Sequence, residues 1–291
     1  MANLKEIRIR ITSVNSTMQI TSAMKMVSAA KLKRAQDAIT RMRPYAEKMQ
    51  EILGNVSASL DSSESPLSVQ RDVKNVLVVV ITSNRGLCGG FNNNVLKEVR
   101  QQMRGPLQGK NVKILSLGKK AFDVFKKTSN HTTEGFSETP YTVFDSLTFE
   151  HVSKIADAIM KQYKAGNFDQ VILVYNKFKN AASQQLVAEQ FLPVVSQNEA
   201  TGNTQSDYIF EPQKEKILDE LIPRTLKVQL YKALLDSNAA EHGARMTAMH
   251  KATDNAGELV KELKLNYNKA RQAAITGEIL EIVAGAEALK G

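Results

Sequence analysis

Apolar residues recur at intervals of three and four at both ends of this 291-residue chain. In the N-terminal segment this spacing joins Leu4, Ile7, Ile11, Val14 and Met18. Such a spacing puts a narrow apolar seam along one side of a helix, as in coiled coils. Because no Gly precedes Gly54 and the stretch has a single Pro, Pro44, we predict one helix of about fifty residues. The alternative is two ordinary helices that are broken near Pro44.

The C-terminal segment carries the same pattern. No further Pro follows Pro223, a residue suited to the first turn of a helix. The seam there comprises Met249, Ala252, Ala256, Leu259 and Leu263. Two long seams at opposite ends of one chain most simply pair with each other, because an isolated helix would leave its seam in water. We therefore predict that segments 1–57 and 213–291 form an antiparallel coiled coil.

The middle of the chain, residues 70–212, alternates short apolar runs with helical patterns. This alternation is typical of an α/β lobe with a doubly wound parallel sheet. The strands are predicted at Val76–Thr82, Val112–Leu117 and Val171–Tyr175, and the helices at Asn92–Met103, Lys119–Lys127 and Phe149–Tyr163. Further edge strands are predicted at Leu186–Leu192 and Tyr208–Phe210, and exposed connections at Asp61–Ser65 and Asn198–Ser206.

Positive charge is concentrated at the N-terminal end. The chain has 39 Lys and Arg against 30 Asp and Glu, and residues 1–50 hold ten basic and three acidic residues, a net of +7. A basic segment of this kind favours an anionic partner, which could be an acidic protein, a membrane surface or nucleic acid. A nucleic-acid binder that uses a basic N-terminal helix is therefore one alternative function.

One glycine-rich turn could hold a phosphate. The stretch SNRGLCGGFN, residues 83–92, lies between a predicted strand and a predicted helix, where backbone N–H groups attract anions. Its spacing matches neither G-x-G-x-x-G nor G-x-x-x-x-G-K-[ST]. A tight turn in which Cys88 packs as a small apolar residue is therefore favoured. The alternative is a nucleotide-binding α/β protein that uses Gly86 to Gly90.

No catalytic, metal or cofactor site is predicted. Cys88 is the only cysteine, and the four histidines include no H-E-x-x-H pair. Glu278 and Glu281 are predicted to be charges on a helix surface. The longest aliphatic run, Val76–Ile81, is much shorter than the roughly 20 residues that a membrane helix needs.

Three separated motifs closely resemble the γ-subunit family of F-type ATP synthases, the central rotor shaft. The motifs are ITSAMKMVSAAKLKRAQ (20–36), SNRGLCGGFN (83–92), and EHGARMTAMHKATDNA (241–256) with LNYNKARQAAITGEILEIVAGAEAL (265–289). The resemblance implies an antiparallel coiled coil of the terminal helices and a Rossmann-like lobe at the foot. Both agree with the pattern of the residues.

The resemblance also implies a function. A member of this family is a non-catalytic subunit without a cofactor, which transmits rotation of a proton-driven membrane c-ring to the catalytic β subunits. Its coiled coil would stand inside a ring of three α and three β subunits, and its foot would bind the ε subunit and the c-ring. Nucleic acid is not an expected partner. The chain would be held peripherally, through the complex, at the cytoplasmic face of a bacterial inner membrane.

The matching motifs assign interface roles to particular residues. Contacts with the ring and between the helices are implied for Met24, Lys25, Arg245, Gln272, Thr276, Glu278 and Glu281. An apolar end that turns in the collar of the ring comprises Ile279, Leu280, Ile282, Val283 and Leu289. Lys31, Lys33 and Arg34 would face acidic loops of the β subunits. In DYIFEP (207–212), Tyr208 and Glu211 would lie near the c-ring.

Two positions depart from the family pattern. Asn84 stands where an Asp usually precedes Arg-Gly-Leu-Cys-Gly-Gly, so an ion pair there is not expected, although Asn keeps a turn hydrogen bond. Gln19 stands where a Lys is common, which removes one basic contact. Because Cys88 is the only cysteine, the dithiol switch of chloroplast relatives cannot operate.

Overall fold

The computed structural model of the chain describes residues 4–58, 66–136, 140–194 and 214–289. Its elements, in chain order, are α1 (Leu4–Ala58), β1 (Asn75–Ile81), α2 (Phe91–Arg104), β2 (Asn111–Leu117), α3 (Lys119–Phe125), α4 (Phe149–Lys164), β3 (Gln170–Phe178), β4 (Gln184–Leu192) and α5 (Lys214–Ala288). Their contacts divide the chain into two units, residues 1–28 with 246–291 and residues 29–245. Both long helices contribute to both units.

Each long helix contains a proline. Helix α1 continues through Pro44, so the predicted single helix is confirmed. Helix α5 begins before Pro223, and the prediction that Pro223 lies in the first turn is wrong. The neighbouring side chains of Ile222 and Leu226 are both buried in the core of the lobe. This packing holds the helix on both sides of Pro223 and offsets the hydrogen bond that proline cannot donate.

A four-stranded sheet in the order β2-β1-β3-β4 forms the centre of the lobe. Strand β1 pairs in parallel with β2 and β3, and β4 pairs with β3 in antiparallel direction. The three parallel strands and the edge strand at Leu186–Leu192 are therefore confirmed. The predicted strand at Tyr208–Phe210 and the predicted connections at Asp61–Ser65 and Asn198–Ser206 lie outside the described residues.

Helices cover both faces of the sheet. Alternate residues of β1 join two different cores, because successive side chains of a strand point to opposite faces. Leu77, Val79 and Ile81 pack with α4 and α5, whereas Val76, Val78 and Val80 pack with α2 and α3. Burial on both faces explains why β1 reads as an unbroken aliphatic run. The predicted doubly wound α/β lobe is confirmed.

In the unit formed by residues 1–28 and 246–291, α1 and α5 pack in antiparallel direction. The Thr21 and Thr253 hydroxyl oxygens lie 2.8 Å apart, and Gly257 faces Met18. The buried positions of α5 include Met249, Ala256, Val260 and Leu263. Leu259, which the seam predicts at the interface, is 36% exposed, so that assignment is wrong. The predicted seam runs from Ala252 to Leu259, seven residues later. The observed interface is shifted by one residue and runs from Thr253 to Val260.

Candidate functional site

The turn between β1 and α2 is held by its own side chains. The Ser83 amide donates to Asn92 Oδ1 at 3.0 Å, and Asn92 Nδ2 donates to Cys88 Sγ at 3.2 Å. Leu87 and Gly89 have φ angles of 61° and 59°, which let the chain reverse within a few residues. Cys88 is buried, and burial raises the pKa of its thiol. The predicted strand-to-helix turn with a packed Cys88 is confirmed.

Arg245 of α5 binds two backbone carbonyl groups of this turn. Its Nε and Nη2 donate to the Gly86 carbonyl oxygen at 3.3 and 3.2 Å, and Nη2 also donates to the Arg85 carbonyl at 3.3 Å. Its Nη1 lies 2.7 Å from Glu241 Oε1, and the two side chains are 9% and 10% exposed. The contacts of this guanidinium are therefore made within the lobe. Carbonyls that accept from a cation do not supply the row of N–H groups on which a phosphate site depends.

The residues around Arg245 have perturbed acidities. Burial raises the pKa of Glu241, and the positive charge of Arg245 opposes this shift. Burial, helped by the charges of Arg245 and Lys31, lowers the pKa of His242 to about 4. His242 is therefore neutral at pH 7, and its Nδ1, 3.4 Å from Arg245 Nη1, is able to accept a hydrogen bond. The result is one buried cation held by one carboxylate, a neutral imidazole and two carbonyl groups.

Asn84 joins the turn to two other parts of the lobe. Its Nδ2 donates to Asp145 Oδ1 at 3.1 Å, and its Oδ1 accepts from the Lys119 amide at 3.0 Å. An Asp at this position would bring a second carboxylate against Asp145, whereas the amide supplies a donor. Asn84 is expected to keep a hydrogen bond within its turn, but both of these bonds reach residues outside the turn.

The residues of α1 that the motifs assign to the ring lie partly or fully at the surface. Met24 and Lys25 are half-buried, whereas Gln19, Lys31, Lys33 and Arg34 are exposed. Lys33 Nζ lies 3.0 Å from Asp37 Oδ1 in an exposed pair. Exposed pairs of this kind contribute little to stability, so the surface of this segment remains available to a partner.

The end of α5 presents its side chains to water. From residue 271 to residue 289, roughly 28 Å of helix, all residues are exposed except the half-buried Gly277. This segment, which we call the exposed end, contains the four polar residues that the motifs assign, Gln272, Thr276, Glu278 and Glu281. It also contains the large apolar residues Ile275, Ile279, Leu280, Ile282, Val283 and Leu289, with Ile282 and Leu289 71% and 90% exposed.

Tyr208 and Glu211 lie outside the described residues. Within the described ranges, no group of three His, Cys, Asp or Glu side chains is arranged to hold a metal ion, and no helix has an apolar stretch long enough to cross a bilayer. The sequence motifs do not single out Glu241. Its i,i+4 spacing to Arg245 in EHGAR is the one signal that points to the buried pair.

Comparison with known proteins identifies the family. The model of the ATP synthase family matches residues 3–289, so the chain belongs to this family. Its relatives within the family are gamma chains, the subunit type indicated by the motifs. The ATP synthase gamma chain of Flavobacterium johnsoniae is 60% identical over 292 residues, and that of Chlorobium limicola is 46% identical over 295 residues. Both alignments cover 100% of this chain and 100% of the relative.

Solved structures share the fold. A chain of the Euglena gracilis mitochondrial ATP synthase, solved with OSCP, F1 and the c-ring in rotational state 3, matches with a TM-score of 0.66. It is 21% identical, and the match covers 98% of this chain and 94% of that one. A chain of the central stalk and c-ring of the Tetrahymena thermophila enzyme matches with a TM-score of 0.56, 24% identity, and coverage of 80% and 99%. The predicted fold and family are therefore confirmed, in preference to the nucleotide-binding and nucleic-acid-binding alternatives.

Proposed function

We propose that this chain is the rotating central shaft of a proton-translocating F-type ATP synthase and that it couples rotation of a c-ring to ATP synthesis. Family membership supports this role. The observation that carries it is the exposed end of α5, which is helical but keeps its apolar side chains in water. An exposed apolar surface of this kind is typical of a site that another protein covers. A collar formed by α and β subunits is the proposed partner.

Apolar contacts suit a rotating end. The hydrophobic effect has no preferred direction, so Ile279, Ile282 and Leu289 could slide past a collar while remaining out of water. Separating the partners of a buried ion pair, by contrast, costs about 3–5 kcal/mol of stabilising free energy. Rotation of an apolar end therefore avoids a large barrier at each step.

Asymmetry would make the shaft a conformational effector. A single shaft inside a three-fold ring presents a different face to each β subunit. Each catalytic site is thereby biased towards a different nucleotide affinity, and rotation carries the bias from site to site. Differential contact with the alternative states of a subunit is the physical requirement for such a shift. The shaft itself would supply no catalytic group.

Basic residues of α1 would guide the shaft towards acidic loops of the β subunits. Lys31 and Arg34 are exposed, and Lys33 forms an exposed pair with Asp37. Charges at such positions attract an oppositely charged surface over about a Debye length, 8–10 Å at physiological salt. Neutralising Lys31, Lys33 and Arg34 together should weaken coupling to the ring.

The lobe would form the foot of the shaft. Tyr208 and Glu211 are proposed contacts with the c-ring, and the ε subunit would bind the same foot. This arrangement would hold the chain peripherally at the cytoplasmic face of a bacterial inner membrane.

Reconstitution with purified α and β subunits tests the proposal. The chain alone should hydrolyse no ATP, and its addition should raise cooperative turnover of the mixture. A double variant, Ile279→Lys with Ile282→Lys, should lower turnover by about tenfold or more, because the collar would have to bury two charges. Both positions are exposed, so the helical content of the isolated chain should not change.

Asn93→Lys is the matched control, since it adds a charge at an exposed position of the lobe. It should leave turnover unchanged. Normal turnover with the double lysine variant would overturn the proposed contact between the exposed end and the collar. ATP hydrolysis by the isolated chain would overturn the proposed non-catalytic role.

A further inference from the structure

A carboxyl group is buried in the lobe without a hydrogen-bond partner. Asp236 of α5 is 0% exposed, and neither of its oxygens accepts a hydrogen bond from a described residue. The hydroxyl groups of Thr225 and Ser237 on the same helix are also buried without a partner in that part of the chain. An ionised carboxylate in such surroundings is strongly disfavoured, whereas the neutral acid is tolerated at much lower cost.

Charged groups on four elements act on this carboxyl. Arg43 of α1, Lys232 of α5 and Lys177 of β3 favour its ionised form, and Glu189 of β4 opposes it. Neither Asp236 oxygen has a hydrogen bond to any of these cations, and Arg43 and Lys177 are themselves exposed to screening water. Burial is the largest influence, and it raises the pKa of Asp236 above the ordinary range for aspartate.

A small polar cavity lies along the same junction. Its volume is about 50 Å³, which is room for a few water molecules. The lining comes from α1 (Ala46), from the β3–β4 pair (Tyr175, Lys177 and Glu189) and from α5 (Thr225, Val228, Gln229 and Lys232). The Tyr175 hydroxyl donates to Glu189 Oε2 at 3.2 Å. Three of its lining residues, Lys177, Glu189 and Lys232, are among the charged groups that act on Asp236, although Asp236 itself does not line the cavity.

We propose that Asp236 is a buried proton-binding site that keeps the junction of α1, α5 and the β3–β4 edge closed. The carboxyl retains its proton while these elements are packed. At higher pH the proton passes to a base in the solvent, and the carboxylate that remains draws water into the junction. Because the folded chain holds this proton more tightly than the unfolded chain, its contribution to stability is complete below the ordinary aspartate range. That contribution is lost as pH rises through the folded-state pKa.

Urea unfolding of the full chain over about pH 4 to pH 9 tests the proposal against Asp236→Asn, a neutral isostere. Within the titration window, the unfolding equilibrium constant of the unsubstituted chain should rise up to about tenfold per pH unit relative to that of Asp236→Asn. Asp72→Asn is the control, since Asp72 is an exposed aspartate of the same unit. It should retain the full pH dependence, and parallel curves for Asp236→Asn and the unsubstituted chain would overturn the proposal.

Infrared spectroscopy gives a second measurement that does not depend on the variant folding. A chain labelled with ¹³C at its aspartate carboxyl groups should keep the carbonyl stretch of one neutral acid at a pH where the exposed aspartates have already lost theirs. The band should fade as the pH is raised and should be missing from Asp236→Asn. If the labelled, unsubstituted chain lost this last band together with those of the exposed aspartates, Asp236 would titrate as an ordinary aspartate and the proposal would be wrong.

Discussion

Glu241 Oε1 and Arg245 Nη1 lie 2.7 Å apart in an ion pair that is about nine-tenths buried. The same guanidinium holds the carbonyl groups of Arg85 and Gly86. Helix α5 is thereby fastened to the turn that follows β1. In a subunit that transmits rotation, such a connection would fix the helix to its lobe, and its strength can be measured directly in the isolated chain.

Glu241→Gln should lower the free energy of unfolding by about 3 kcal/mol, because it leaves the buried guanidinium without its carboxylate. Urea unfolding at pH 7 measures the loss. Asp37→Asn breaks the exposed pair with Lys33 and should cost less than about 1 kcal/mol. Similar losses for both variants would show that burial does not strengthen the Glu241–Arg245 pair.

His242 should make the lobe sensitive to acid. Its folded-state pKa, about 4, lies below the ordinary histidine value, so the unfolded chain takes up the proton first as pH falls. Stability should therefore decline from about pH 6.5 towards pH 4, by roughly 2 kcal/mol after allowance for partial exposure. His242→Gln should remove this decline in acid-unfolding measurements, whereas His250→Gln, at an exposed position, should retain it. If His242→Gln declined as steeply as the unsubstituted chain, the decline would come from other groups.

Two leucines on α5 test the phase of the coiled-coil seam. Leu263 is 7% exposed and Leu265 is 63% exposed. Leu263→Ala should cost about 2 kcal/mol, because it removes buried methyl groups from the interface with α1. Leu265→Ala should change stability by less than about 0.5 kcal/mol. Urea unfolding followed by circular dichroism compares the two, and a larger loss for Leu265→Ala would contradict the observed phase.

Gly118 is required by its backbone conformation and by its surroundings. Its φ is 115°, and a Cβ built there would lie 2.1 Å from the Thr82 carbonyl oxygen. Gly118→Ala should therefore cost about 3 kcal/mol or more in thermal or urea unfolding. At Gly109, φ is 81°, but apart from the adjacent residues no described part of the chain lies within 4 Å of the added methyl group, so Gly109→Ala should cost only about 1 kcal/mol. Equal losses would mean that backbone strain alone, and not the clash with Thr82, decides the effect.

The spacing of apolar residues predicted the helices and strands well, because a buried face leaves a regular apolar repeat in the sequence. In β1, where both faces are buried, the repeat becomes an unbroken apolar run. The spacing of Leu4, Ile7, Ile11, Val14 and Met18 identifies the half-buried side of α1 without any tertiary information. Whether Leu259 or Val260 faces α1 depends on a shift of one residue in the position of the apolar seam. Small residues such as Ala252 and Thr253 carry too little hydrophobicity to decide that phase from sequence alone.

The side-chain contacts that join distant parts of the lobe could not be predicted from periodic sequence patterns. Arg245 meets a turn some 160 positions earlier in the chain, and Asn84 meets Asp145, so neither contact leaves a local periodic trace. Asp236 is the clearest example. Its sequence context is that of any charged residue on a helix, and only the packing of the folded lobe removes it from water.

The exposed end of α5 has a consequence for the solubility of the free chain. Six large apolar side chains on a single helix can associate with the same surface of another copy, in proportion to the concentration of the free chain. Self-association should therefore compete with assembly whenever the subunit is made in excess of its partner. A cell that produces this chain would need to match its supply to that of the partner that covers this end.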